Sequence, residues 1–275
     1  MSTLDTRPLP GALRLGWSRT RYEVRGFFRE RDAVIFIFAY PVIMLAIFAT
    51  VFGQGGATVG DGIPFAQYFL PGMIATGVLL SSFQSMALDI AAERDRGGLK
   101  RLRGTPLPPT AFFLGKVGQV LATSLIQLVL LLAVARLLFD VALPDTSARW
   151  ATLAWVFLLG TATGAICGVG FSSIPRSAKS ASAVVTPVVL VLQFISGVFF
   201  SFYQLPSWMQ EVAAVFPLKW MAQGMRSVFL PDGAASLEPA GSWEHGRISL
   251  VLIAWLVLGL VAGVRTFRWQ RRGDR

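Results

Sequence analysis

Charge is scarce in this chain. Only 15% of its 275 residues are Asp, Glu, Lys or Arg, against about a quarter in an ordinary soluble domain. The shortage is concentrated in long charge-free runs, the mark of membrane spans rather than of a soluble core. Cysteine is nearly absent as well. Cys167 stands alone inside an apolar run, which excludes an intrachain disulfide and leaves little for redox chemistry. The single histidine, His245, lies in a polar loop, so His-based catalysis and His-ligated metals have little to build on. The chain has no His-Glu-x-x-His zinc motif, and no pair of carboxylates falls inside the apolar runs. Serines do occur there (Ser81, Ser82, Ser85 and Ser124), without a histidine or a deep lysine to activate them. No enzyme activity and no bound metal are therefore expected.

A nucleotide site is missing too. A phosphate-cradling loop needs Gly-x-x-x-x-Gly-Lys followed by Ser or Thr. The one Gly-Lys pair is Gly115–Lys116; Thr110 stands where the first glycine belongs and Val117 follows the lysine. An ion-driven carrier would keep ionisable groups deep in its spans. The candidates, Asp89, Arg136 and Asp140, all fall near run ends, where their charge is expected to stay in water. With neither source of energy, a transporter of this kind must be driven by another chain.

What is present is apolar length. Six runs of about 20 residues or more, enough to cross about 30 Å of hydrocarbon, fall at 33–52, 67–90, 111–139, 150–171, 183–203 and 248–267. The expected fold is an all-α membrane protein with six transmembrane helices. The N-terminal segment is too basic and polar to be a cleavable signal. Within it, Leu13, Trp17, Val24, Phe27 and Phe28 recur at near-helical spacing among arginines, so 12–30 is expected to be an amphipathic helix lying in the interface.

The net charge of +10 sits in clusters beside the spans, which argues against nucleic acid as partner. Twenty of the 25 Lys and Arg residues lie on one side: seven from Arg7 to Arg31, a group around 94–116, Arg176 and Lys179, and five from Arg265 to Arg275. That side is expected to be cytoplasm, with both termini in it. On the other side, residues 204–230 form an apolar stretch broken by Glu211, Pro217, Lys219 and Arg226. Two half-helices meeting at Pro217 and re-entering the membrane fit it best, since irregular backbone at that depth must be buried in protein or line a cavity.

The stretch AERDRGGLKRLRGTPLPPT, from Ala92 to Thr110, resembles the first intracellular loop of type-2 ABC exporter permeases, especially the daunorubicin-resistance type. ISGVFFSFYQLPSWM from Ile195 and VFPLKWMAQGMRSVF from Val215 are similar to two further segments of that family, in the same order. The resemblance implies a bacterial plasma-membrane permease, a second permease copy or homologue beside it, and two ATPase subunits below. ATP and Mg are then expected on the ATPase partner, with no cofactor on this chain.

It also implies that segment 91–110 docks on the ATPase, through Glu93, Arg94, Gly97, Leu99, Leu102 and Arg103. The spacing of Leu99 and Leu102 puts both on one face of a short helix, and that face is expected to meet the partner. The second and fifth spans are the implied path lining, which here supplies Thr76, Phe83, Gln84, Gln193, Phe194 and Ser196. Pro206, Pro217 and Arg226 mark the re-entrant element. The expected function is ATP-driven export of a drug-like or lipid-like amphipathic substrate by alternating access. The alternatives are a permease for lipid-linked polysaccharide and an ion-coupled carrier. In the fourth span, Gly160, Gly164 and Gly168 form a ridge that admits a close helix, expected to be one of this chain's own.

Overall fold

A computed structural model describes residues 11–53, 58–60, 62–105 and 107–267, leaving aside the side chain of Arg103. Arg7, Pro106, Arg268, Arg271, Arg272 and Arg275, which figure in the charge map and the loop motif, lie outside the described residues.

The described residues are helical almost throughout, and the chain is an all-α membrane protein with six spanning helices. Helix α1 covers Ala12–Arg29, and α2, Arg31–Gly53, follows it after a one-residue break. A two-residue hairpin pairs β1, Thr58–Val59, with β2, Ile63–Pro64. Helix α3 runs over Phe65–Asp95 and is interrupted by a π turn at Leu80–Gln84. The short α4 is Gly98–Arg103. The next three are α5, Pro109–Phe139, α6, Ser147–Phe171, and α7, Ala178–Ile195. Two shorter helices, α8 at Ser207–Val215 and α9 at Pro217–Phe229, precede α10, His245–Thr266. Among the described residues, α2, α3, α5, α6, α7 and α10 are long and apolar enough to cross a bilayer.

Helix α3 is the axis of the bundle. Every residue from Tyr68 to Gln84 is buried, and the helix packs against α2, α5, α6 and α9. Helices α2 and α10 instead leave aliphatic side chains such as Ile43, Ile47, Leu250 and Val257 exposed. Outside a membrane that arrangement would be costly; at roughly 25 cal/mol per Å² of apolar surface it belongs against lipid. The Gly160, Gly164 and Gly168 ridge of α6 faces inward. A Cβ on Gly164 would stand 2.1 Å from the Ser82 hydroxyl, and one on Gly168 would stand 2.7 Å from the Phe83 carbonyl. The ridge thus seats the π turn of the same chain.

The helix bounds run a few residues beyond the apolar runs at most ends. The fifth span departs further. An apolar run to residue 203 suggests a helix that long, but α7 ends at Ile195. Gly197 turns the chain at φ +70°, and Phe202 folds back over it, 2.8 Å from where a Cβ would sit. The residues beyond the turn are as apolar as those before it, so composition does not mark the break.

Candidate functional site

The segment with the Arg-rich loop is built by helix breakers. Helix α3 ends at Asp95, Gly97 takes the left-handed conformation at φ +72°, and α4 begins at once. Leu99 is wholly buried, in a cluster with Met86, Ile90 and Phe112, and Leu102 packs against that cluster. The expected apolar docking face is therefore turned into the protein. Packing Leu99 against the chain's own spans removes its apolar surface from water without a partner. Among the described side chains of the helix, Lys100 and Arg101 are the exposed ones, and Arg96 and Gly104 flank it.

Arg94 is buried as well. It donates to the carbonyls of Ser172 and Pro175, at 2.7 and 3.1 Å, and so ties the end of α3 to the end of α6. The Asp95 carboxylate accepts from the backbone N–H of Ala178 at the start of α7. Of the four consecutive charges Glu93, Arg94, Asp95 and Arg96, Arg94 and Asp95 are thus internal struts between spans.

Beneath this loop lies a cluster of buried charge. Lys116, near the start of α5, is 1% exposed. Its ammonium donates to Glu23 of α1 at 2.9 Å, to Asp89 at 2.5 Å and to Glu93 at 2.7 Å, the last two on α3. Arg19 pairs with Glu23, one turn along α1, and lies 3.6 Å from Glu93. The expectation that Asp89 keeps its charge in water is corrected, because its partly buried carboxylate pairs with Lys116, and Lys116 has itself exchanged water for three carboxylates. Such an exchange is tolerable because each partner offsets the desolvation of the others. Arg136 and Asp140, by contrast, do stay exposed.

Helix α1 reaches the cluster by lying on α5. Gly16 contacts Leu114, while a Cβ on Gly115 would meet the Arg19 side chain at 2.3 Å and one on Gly118 would meet Thr20 at 2.4 Å. The small and polar face of α1 is therefore its protein-facing side, with Phe27 added. Leu13, Trp17 and Tyr22 point outward.

The other end of the bundle has its own buried ions. Helices α8 and α9 meet at Phe216–Pro217, and Pro217 opens α9 at the position where its missing N–H costs nothing. Pro206 caps α8. Arg226 of α9 pairs with Glu238 at 2.6 Å and donates to the Gly197 carbonyl at 3.3 Å; both ionic side chains are almost fully buried. Lys219 pairs with the Gln223 carboxamide and lies 3.7 Å from the Trp220 ring centroid. Gln67 at the start of α3 donates to the Phe229 carbonyl at 2.8 Å, fastening α9 to the axial helix.

The six expected path residues are not brought together. Phe83 borders a groove of about 500 Å³ walled by α3, α6, α7 and α10, with Phe171 edge-on at 5.4 Å. Gln84 lines a different cavity, beside α1. Thr76, Gln193 and Ser196 are sealed in the packed interior; the Gln193 carbonyl accepts from the Tyr40 hydroxyl at 2.9 Å. Phe194 is half-exposed on the outer surface of α7.

Sequence reasoning passed over Glu23, Lys116 and Glu238. The first two carried a usable signal, since Asp89 and Glu93 are one turn apart and present a paired negative face to whatever helix covers them. Glu238 gave none, because its partner is set by the path of an irregular loop.

These struts and the buried ions organise a membrane bundle around a basic loop, and comparison with known proteins agrees with that architecture. The chain is 26% identical over 230 residues to the inner membrane transport permease YadH of Escherichia coli K12, covering 82% of this chain and 88% of the relative. The permease of the same name from Shigella flexneri matches equally. The sequence profile of the ABC-2 type transporter family matches residues 15–230, from α1 through α9, and the chain belongs to that family.

Proposed function

We propose that this chain is the permease subunit of an ATP-driven exporter in a bacterial inner membrane, with the Arg-rich end in the cytoplasm. It moves an amphipathic, drug-like or lipid-like substrate outward by alternating access. One observation carries the reading: a chain of the ABC-2 type transporter family has no nucleotide-binding loop in its sequence. The energy then comes from an ATPase subunit, two copies of which serve a pair of permeases.

Segment 91–110 is the proposed contact with that ATPase. The buried Leu99 moves the contact to the exposed side of α4, with Lys100 and Arg101 at its centre. Pressure there passes along two rigid links. Arg94 carries it to α6, and Glu93 with Asp89 carries it through Lys116 to α5 and α1. The π turn of α3 gives the axial helix a place to bend, as such turns do in other helices. Helices α8 and α9 dip back from the outer face and form the exit. Thr76, Gln193 and Ser196 join the path in a state in which α3 and α7 separate, because all three are sealed in this one. ATP and Mg stay on the partner throughout.

The test is reconstitution. The tagged full-length chain is purified from its native membrane with whatever ATPase accompanies it, then placed in liposomes with an amphipathic cargo. Cargo movement that requires ATP is expected. Accumulation driven by a pH gradient with no ATPase present would establish the carrier reading instead. In the same assay, Lys100→Glu with Arg101→Glu should abolish co-purification of the ATPase while leaving the permease monodisperse; unchanged co-purification would remove the docking assignment.

A further inference from the structure

A cavity of about 340 Å³ opens between α1, the start of α2, the end of α3 and α5. It lies beside the buried ions, away from the groove at Phe83, and has three kinds of wall.

The first is charged. Glu23, Glu30, Asp89 and Glu93 all line it. Facing these four carboxylates are Arg96 in the wall and, behind it, Arg19 and Lys116, which pair with Glu23, Asp89 and Glu93. Among the lining groups and their direct ion partners, four carboxylates meet three cations. The second wall is polar and idle. Gln84 and Gln119 line the cavity at 9% and 4% exposure. Neither carboxamide hydrogen-bonds to another described residue. Their polar atoms open onto the cavity, so a ligand that reaches them replaces water with buried hydrogen bonds. The third wall is aromatic. Tyr22, Phe27 and Phe36 frame the opening, with Phe36 half-exposed at the start of α2. Aromatic faces favour a cation or an apolar ring.

Excess carboxylate, unmet carboxamide oxygens and aromatic rims together select a ligand with an ammonium group on a compact apolar body. We infer that this cavity is a binding site for an amphipathic organic ammonium ion, taken up where the inner leaflet meets the cytoplasm. The ammonium sits among Asp89, Glu93 and the two carboxamides, and the apolar body rests against Phe27 and Phe36. A free cation and the ethanolamine headgroup of a membrane lipid share this chemistry. The placement at the inner leaflet rests on the orientation proposed above, whereas the binding itself does not require transport.

The experiment is equilibrium dialysis on the full-length chain in phosphatidylcholine nanodiscs, with empty discs as the blank. The probe is 2-(1-naphthyl)ethylammonium, and the control is 3-(1-naphthyl)propionate, which has the same body and the opposite charge. Saturable binding of the ammonium alone is expected. Gln119→Leu should weaken it about tenfold, the loss of roughly one buried hydrogen bond. Glu30→Gln, at an exposed position that folding does not need, should weaken it several-fold, and it decides the matter if Gln119→Leu does not fold. Equal binding of the two probes, or dissociation constants unchanged in both variants, overturns the site. Exchange of the lipid for phosphatidylethanolamine separates the sources: loss of probe binding assigns the site to the headgroup, and unchanged binding assigns it to a free cation. Binding that behaves as expected in a chain that never exports with its ATPase would sink the exporter reading and leave the site standing.

Discussion

At the Arg-rich end, Lys116 gathers carboxylates from far away in the chain: Glu23 lies 93 positions off and Asp89 27. At the opposite end, Arg226 finds Glu238 only 12 residues on, within the segment that joins α9 to α10. Both clusters bury ions, yet they do different work. The first joins three helices, α1, α3 and α5, of which α1 and α5 also pack through Gly16, Gly115 and Gly118. The second closes a local cap, fastened to the bundle by Gln67 and by the carbonyl of Gly197. A buried ion pair is weak evidence of stability, yet it is costly to break, because removing one member strands the other. The inner cluster therefore fixes how helices lie against one another, and the outer one fixes how a loop is folded.

The sharpest way to break the comparison is Lys116→Met. It leaves Asp89 unpaired and Glu23 and Glu93 to Arg19 alone, and should cost about 3–5 kcal/mol, read as lowered thermal stability in detergent. It should also free α1, read as protease cleavage at Arg21 or Arg25 before any span is cut. Cleavage no faster than in the parent chain would mean that α1 is held by packing alone. Arg226→Met should cost a similar or slightly smaller amount, about 3 kcal/mol, without touching α1. Replacing the pair together, Arg226→Met with Glu238→Leu, should recover most of that loss, because no unpaired charge remains. If the double variant is no better than the single one, the cap needs its ions for more than pairing. Gly118→Leu should have the smallest effect, about 1–3 kcal/mol from overpacking against Thr20. It shifts α1 with the ions intact, so a drop as large as that of Lys116→Met would show that the glycine seat, not the charge, holds the helix.

The parts legible in the sequence are those set by solvent. Six apolar runs announce six spans because lipid demands about 20 apolar residues whatever the fold. The glycine spacing of α6 and the breaker at Pro217 were equally readable. What could not be read is set by the direction a side chain takes. Leu99 and Leu102 have the same spacing whether they face a partner or their own spans. Lys116 looks like a flanking charge until α1 and α3 close over it. The fifth spanning helix, α7, ends at Ile195 amid residues that are apolar on both sides of the turn, so hydropathy carries no trace of the stop. Gln84 and Gln119 lie 35 positions apart in the chain, and only folding shows that both are left without partners in one cavity.

The π turn at Leu80–Gln84 has a geometric consequence for the inner cluster. It stores one more residue than an α-helical turn, clamped between the Ser82–Val78 hydrogen bond and the glycines of α6. Each residue of an α-helix advances the screw by about 100°. Were that stored residue released upward, the lower half of α3 would wind round by roughly that angle, carrying Asp89 and Glu93 away from Lys116. A rotation at the middle of the membrane and the unlocking of the inner charges are thus the same movement seen at two heights.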